Sequence, residues 1–309
     1  MSLPVVVLVG PTATGKSELA VQLCRALIAE GFVAEIVNAD SMLIYRSMDI
    51  GTAKPTLAER DGIVHHLVDV AEITHTASVA EFQGWARAAI AEVRAKGGIP
   101  VLVGGSALYT RAIVDQFEFP GADAALRAAW EAELARVGAA ELHRRLAEIA
   151  PESAARIEPG NGRRIVRALE VAELTGQHRP ELPQWTYALD GVQQYGLQLE
   201  RGELDARIEQ RVERMWEAGL VEEVRRLESL GLRDTLTASR AIGYRQVLDY
   251  LAGDSTEEEA KTAVKRATKR FFRKQLAWYR RDPRISWLPA GNPDNVATIV
   301  AHVTRAVRK

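Results

Sequence analysis

Residues 10–17 limit the folds open to this chain more than any other stretch. Gly10-Pro11-Thr12-Ala13-Thr14-Gly15-Lys16-Ser17 is a complete G-x-x-x-x-G-K-[ST] phosphate loop. An apolar run from Pro4 to Val9 precedes it and an amphipathic stretch begins at Ser17, the strand–loop–helix setting that such a loop requires. The glycines let backbone N–H groups close round phosphate oxygens, and the helix N-terminus adds the positive end of its dipole. Lys16 can reach the terminal phosphate, and the Ser17 hydroxyl can ligate Mg2+. The motif leaves open which phosphorylated molecule binds, and whether its phosphate is transferred or merely leaves.

The flanking pattern extends this into a fold class. Runs rich in β-formers at Val5–Val9, Glu35–Asn38, Leu67–Val70 and Val101–Val103 alternate with helical spacing over Ser17–Glu30 and Val79–Ala95, and a further run lies at Tyr195–Leu199. Such alternation predicts βαβ units: an α/β, P-loop NTPase-like core with a parallel sheet flanked by helices. Pro100 fits the start of a strand, where a missing N–H does least harm. After Phe119 the chain turns rich in Ala, Leu, Arg and Glu, with breaks at Gly138, Pro151 and Pro159-Gly160 and punctuation at Pro180 and Pro183. This predicts an inserted all-helical domain over 118–182, within a core built from 1–117 and 183–309.

A net charge of −1 rules out a global basic field, so any nucleic-acid contact falls to local patches. Arg163, Arg164 and Arg167, behind an Asn161-Gly162 helix start, form one. A late helix, Glu257–Arg281, forms another, with an acidic beginning, a basic body and the aromatics Phe271, Phe272, Trp278 and Tyr279. A solvated face explains either run alone. The single Cys24 excludes a disulfide framework, and no apolar stretch reaches the ~20 residues of a membrane span. The first apolar run is too short for a signal segment. The expectation is a cytoplasmic monomer without membrane contact.

Several positions are candidates for chemistry. Asp40 closes Asn38-Ala39-Asp40-Ser41 at a strand's carboxyl end, where ligands of open α/β sheets sit, although a turn or helix cap would also place an Asp there. Residues 45–55 form a polar loop readable as a binding loop or a plain connection. Gly104-Gly105-Ser106 ends a strand with glycines that permit close backbone approach, and no acidic residue stands there to hold Mg2+ or water as in NTP-hydrolysing proteins. Asp69 is the remaining sheet candidate for that role. His65-His66 lacks partners at metal-ligand spacing, and His75, His143, His178 and His302 are scattered, so no zinc site is expected.

Together these stretches resemble bacterial tRNA dimethylallyltransferases, also called tRNA isopentenyltransferases. The resemblance is carried by GPTATGKS at 10–17, NADSMLIYRSMDIGTAKP at 38–55, HHLVDV at 65–70, LVGGSALY at 102–109 and RRIVRALEV at 163–171. It continues with RIEQRVERMWEAGLVEEV at 207–224, AIGYRQ at 241–246 and RKQLAWYRRD at 273–282. Ser106 stands where a Thr is usual, which keeps a hydroxyl there, and Ser47 stands where a Gly is common.

The resemblance implies transfer of a dimethylallyl group from its diphosphate to N6 of adenosine 37 in tRNAs reading codons that begin with U. Gly10–Ser17 would then hold a prenyl diphosphate rather than ATP, with Thr12 and Thr14 bonding it and Mg2+ on Ser17. The helical insertion would clasp the anticodon stem-loop, with the target base flipped out. An exocyclic adenine amine is a poor nucleophile, so a carboxylate that takes its proton helps; Asp40 is the candidate. Lys16 and Arg211 would stabilise the departing diphosphate. By matching position, Asp40, Ser41, Met42, Leu43, Ser106, Arg127, Arg163, Arg164, Ile165, Val166 and Arg167 would contact tRNA. The rival readings are an ATP-dependent small-molecule kinase, a nucleotide-dependent RNA-binding protein without chemistry, and an isopentenyltransferase of free adenine nucleotides.

Overall fold

Val5–Val9 has no polar face to offer solvent, and the chain buries all of it as the inner strand β1. In this computed structural model, which describes residues 3–176, 184–199 and 201–308, β1 sends Val5, Val7 and Val9 into one apolar core and Val6 and Leu8 into another. That alternation is the strand period of two, expressed on a sheet covered on both faces. Pro180, Pro183 and His178 lie outside the described residues.

From β1 the chain continues through α1 (Lys16–Ala29), β2 (Val33–Asn38), α2 (Leu57–Arg60), β3 (His65–His66), α3 (Val79–Ala95), β4 (Gly98–Gly104) and α4 (Ala107–Val114). The helices α5 (Ala124–Ile149), α6 (Pro151–Ala154) and α7 (Gly162–Thr175) follow, then β5 (Val192–Gln198), α8 (Arg201–Glu217) and α9 (Leu220–Ser229). Two short 3-10 turns lead to α10 (Tyr244–Leu251), α11 (Glu257–Tyr279), β6 (Ile285–Pro289) and α12 (Asn295–Val307). The strands form one parallel six-stranded sheet in the order β3-β2-β4-β1-β5-β6. Leu19, Leu23 and Leu27 of α1 and Ile299 and Val303 of α12 fill one core; Phe82, Ala86 and Ile90 of α3, with residues of α9 and α10, fill the other. Among the described residues no helix is long and apolar enough to cross a membrane.

Two strand expectations need correction. The run Leu67–Val70 is not a strand: only His65–His66 pairs with β2, and Leu67 and Asp69 then adopt φ of +61° and +58°. Asn38 Nδ2 donates to the Leu67 carbonyl and the Asp69 N–H to the Leu43 carbonyl, so local apolar spacing loses to a tertiary turn. Pro100 lies inside β4 rather than at its start, opposite Glu35 of β2.

The chain divides into two compact units, one from 1–115 with 187–309 and the other Gln116–Thr186. The second unit has its own core, in which Leu142 and Leu146 of α5 meet Ile165, Val166 and Leu169 of α7. Gly138 (φ 80°, ψ 165°) interrupts α5. Asp123 caps α5 and Asn161 caps α7, each accepting from backbone N–H groups of the first turn. Gly162 lets α7 approach closely, because a Cβ there would lie 2.6 Å from Leu134.

Candidate active site

The phosphate loop spans β1 and α1, and its shape is set by neighbours. A Cβ at Gly10 (φ +143°) would stand 2.9 Å from the Leu197 carbonyl oxygen of β5. Gly15, at φ 84°, supplies the left-handed residue from which α1 starts, with Leu19 N–H returning to its carbonyl at 3.0 Å. Within the loop the Pro11 carbonyl accepts from Thr14 Oγ1 (2.9 Å) and Lys16 Nζ (2.6 Å). Ser17 is exposed on the first turn of α1.

A residue missed in the sequence reading completes the loop. Gln275 of α11, buried, accepts from the Thr12 N–H at 3.1 Å and donates to the Gly105 carbonyl at 2.6 Å. It ties the phosphate loop to the turn after β4. Its place four residues before buried Tyr279 was the available signal: the Tyr279 hydroxyl donates to the Gly104 carbonyl at 3.4 Å.

Asp40 follows β2, beside the turn after β4. Gly104 packs on Ala39, where a Cβ would meet Ala39 atoms at 2.7 Å. Asn38 builds the Asp40 turn: its Oδ1 accepts the Asp40 N–H and its Nδ2 donates to the Asp40 carbonyl, both at 2.8 Å. One Asp40 carboxylate oxygen accepts from the Met42 N–H at 2.9 Å. Asp40, Ser41, Met42 and Leu43 all remain partly exposed, as does Ser106, whose carbonyl opens α4 by accepting from Thr110. Burial raises the pKa of the nearby Tyr109 phenol; a Ser41 hydrogen bond opposes this and Asp40 adds to it.

Two cations are coupled electrostatically to Asp40. Burial pushes the Lys16 ammonium down to about 7, with Asp40 opposing and Arg211 adding to the shift. Burial likewise lowers Arg211, with Asp40 raising it and Arg214 lowering it. Lys16, Arg211 and Asp40 therefore share one electrostatic environment. Arg207 and Arg211, one turn apart on α8, reach the Ala13 carbonyl (3.4 Å) and the Thr52 carbonyl (3.5 Å).

Residues 45–55 are a built loop rather than a plain connection. Lys54, buried, donates to the Tyr45 carbonyl (2.8 Å) and the Asp49 carboxylate (2.7 Å), and pairs with Asp69. Asp69 also lies 3.7 Å from Arg60, so its carboxylate serves this loop. His66 bonds Glu35, and no metal-holding cluster of His, Cys, Asp and Glu occurs among the described residues.

In the second unit Arg163 and Arg164 are exposed, and neither has an acidic partner among the described residues. Arg127 and Arg167 both pair with buried Glu170 at 2.9 Å, and Arg167 also donates to the Pro120 and Gly121 carbonyls. Ile165 and Val166 are core residues, so their side chains hold α7 in place instead of facing a ligand. Back in the first unit, Arg240 and Arg245 join Arg266, Arg270 and Lys274 of α11 in an open groove beside half-exposed Phe271.

A phosphate loop, with a carboxylate and cations coupled to it at the carboxyl ends of a parallel sheet, suits a P-loop-type group-transfer protein. The family model described as IPP transferase matches residues 43–282, a range that begins beyond the phosphate loop and Asp40, and the chain belongs to that family. It is similar to a tRNA dimethylallyltransferase of Kineococcus radiotolerans, 59% identical over 94% of this chain and 92% of the relative. One of Thermobifida fusca is 57% identical, with coverage of 94% and 92%. The crystal structure of the full-length tRNA isopentenylpyrophosphate transferase of Bacillus halodurans superimposes with a TM-score of 0.72 at 38% identity, covering 99% of this chain and 97% of that one. A eukaryotic dimethylallyltransferase acting on tRNA superimposes with a TM-score of 0.80 at 25% identity, covering 97% of this chain and 78% of that one.

Proposed function

We propose that the chain transfers a dimethylallyl group from its diphosphate to N6 of adenosine 37 in tRNAs reading codons that begin with U. The observation that carries this reading is the shared environment of Asp40, Lys16 and Arg211 beside the phosphate loop, in a chain of the IPP transferase family. The N6 lone pair forms a bond to the prenyl C1 as the C1–O bond breaks, its electrons leaving with the diphosphate. The Asp40 carboxylate takes the N6 proton. Lys16, Arg211 and loop N–H groups hold the charge that builds on the leaving oxygens.

Mg2+ fits this site as a partner of the diphosphate. The exposed Ser17 hydroxyl gives one hard oxygen ligand, and Mg2+ characteristically takes few protein ligands beside phosphate and water. When bound it would neutralise diphosphate charge. Arg163 and Arg164 of the second unit, and the basic groove along α11, are the surfaces that suit a tRNA backbone. A mononucleotide substrate needs neither. Arg127, Arg167 and Ser106 would act mainly by shaping what the tRNA meets.

The test is incubation with dimethylallyl diphosphate, Mg2+ and an unmodified tRNA carrying adenosines at 36–38, followed by mass spectrometry of nucleoside digests. N6-dimethylallyladenosine is the expected product. Phosphate transfer from ATP to a small molecule, without any tRNA requirement, would replace this reading with the kinase.

A further inference from the structure

Glu223 of α9 is a buried carboxylate with no place in the chemistry above. Its oxygens accept from three consecutive backbone N–H groups, of Asp49 (3.1 Å), Ile50 (2.8 Å) and Gly51 (3.3 Å), and from the Tyr244 hydroxyl at 2.6 Å. Tyr244 is itself fully buried, and the Gly51 backbone lies so close to its ring that a Cβ would stand 2.4 Å from a ring carbon. Four donors aimed at one carboxylate fix the 49–51 backbone more tightly than a surface turn requires. The next carbonyl along, that of Thr52, faces Arg211 Nη2 at 3.5 Å. Thr52 is held in turn, its hydroxyl donating to the Met48 carbonyl at 2.6 Å, and Lys54 clamps Asp49 from the other side.

We propose that Glu223 is a positioning residue for the reaction: it holds the 49–52 turn so that the Thr52 carbonyl orients the Arg211 guanidinium toward the leaving diphosphate. The proposal rests on the role given to Arg211 above. Glu223 touches neither substrate nor reacting atoms. Its effect passes through one carbonyl, and displacements on the ångström scale are enough to lower turnover about 100-fold.

A double-mutant cycle tests this. Glu223→Gln keeps the shape but turns an amide NH2 toward the N–H donors, and Glu223→Asp keeps the charge and shortens the reach. Each is made alone and together with Arg211→Ala, with kcat and KM for both substrates measured on protein whose circular dichroism matches wild type. The expected result is a drop in kcat of about 10-fold or more for Glu223→Gln with the tRNA KM unchanged, shrinking to less than about twofold in the Arg211→Ala background. If Glu223→Gln does not fold, Glu223→Asp carries the same comparison. Equal losses in both backgrounds, or an unchanged kcat, would overturn the positioning role while leaving Arg211 in place. Wild-type turnover in Arg211→Ala alone would remove the Arg211 assignment and this proposal with it.

Discussion

Asp40 can be probed without dismantling its surroundings, because among the described residues its carboxylate accepts one backbone hydrogen bond, from the Met42 N–H, that an amide oxygen can also accept. Asp40→Asn should therefore lower prenyl transfer by about 100-fold or more, with tRNA affinity little changed in a filter-binding or anisotropy titration. Lys16 makes a prediction of opposite character. Its folded pKa of about 7 lies below the ordinary value of 10.5, so between those values the unfolded chain binds more protons than the native one. Its penalty on stability is in force below pH 7 and is relieved as the pH rises toward the ordinary lysine value. Lys16→Met should raise the urea midpoint at pH 7 and remove the upward slope expected of wild type toward pH 9. Gly15 was legible because its work is local, a left-handed residue at the start of α1. Glu223 and Gln275 were not: one of two adjacent Glu on an amphipathic helix reads as surface, and its backbone partners lie 172 to 174 residues away.

Among elements, those with local causes agreed best with their sequence. Helix α3 spans the expected Val79–Ala95, because Ser78 caps it and its apolar period runs unbroken. The edge strand β6 went unseen, since Ser286 and Pro289 break its pattern and only pairing with β5 makes it a strand. Helix α11 begins with a capping box in which Thr256 Oγ1 accepts from Glu259 N–H at 3.3 Å and Glu259 Oε2 accepts from Thr256 N–H at 2.8 Å. Thr256→Ala should cost about 1 kcal/mol in chemical unfolding. Turnover should be unaffected, because the box lies at the opposite end of α11 from Gln275.

At the scale of the whole molecule, the near-zero net charge leaves polyanion binding to particular arginines. In the helical unit Arg127 and Arg167 share the buried Glu170 carboxylate, while Arg163 and Arg164 are exposed without an acidic partner among the described residues. Replacing Arg163 and Arg164 with Ala should reduce the slope of log K against log salt for tRNA binding by about 1 to 2, with kcat at saturating tRNA retained. An unchanged slope would return them to a solvated face. Composition predicts a helical insertion over 118–182, where strands stop and Ala, Leu, Arg and Glu take over, and the structure divides into units of 1–115 with 187–309 and of 116–186.

The phosphate loop is synthesised well before the residues that finish it. Its Gly10 turn is shaped against Leu197, and its Thr12 N–H finds its acceptor on Gln275, 263 residues downstream. A nascent or truncated chain ending before α11 carries the motif letter for letter and lacks the scaffold that shapes it. Such fragments would hold a phosphate ligand poorly, so the loop takes its finished shape only once α11 has been added.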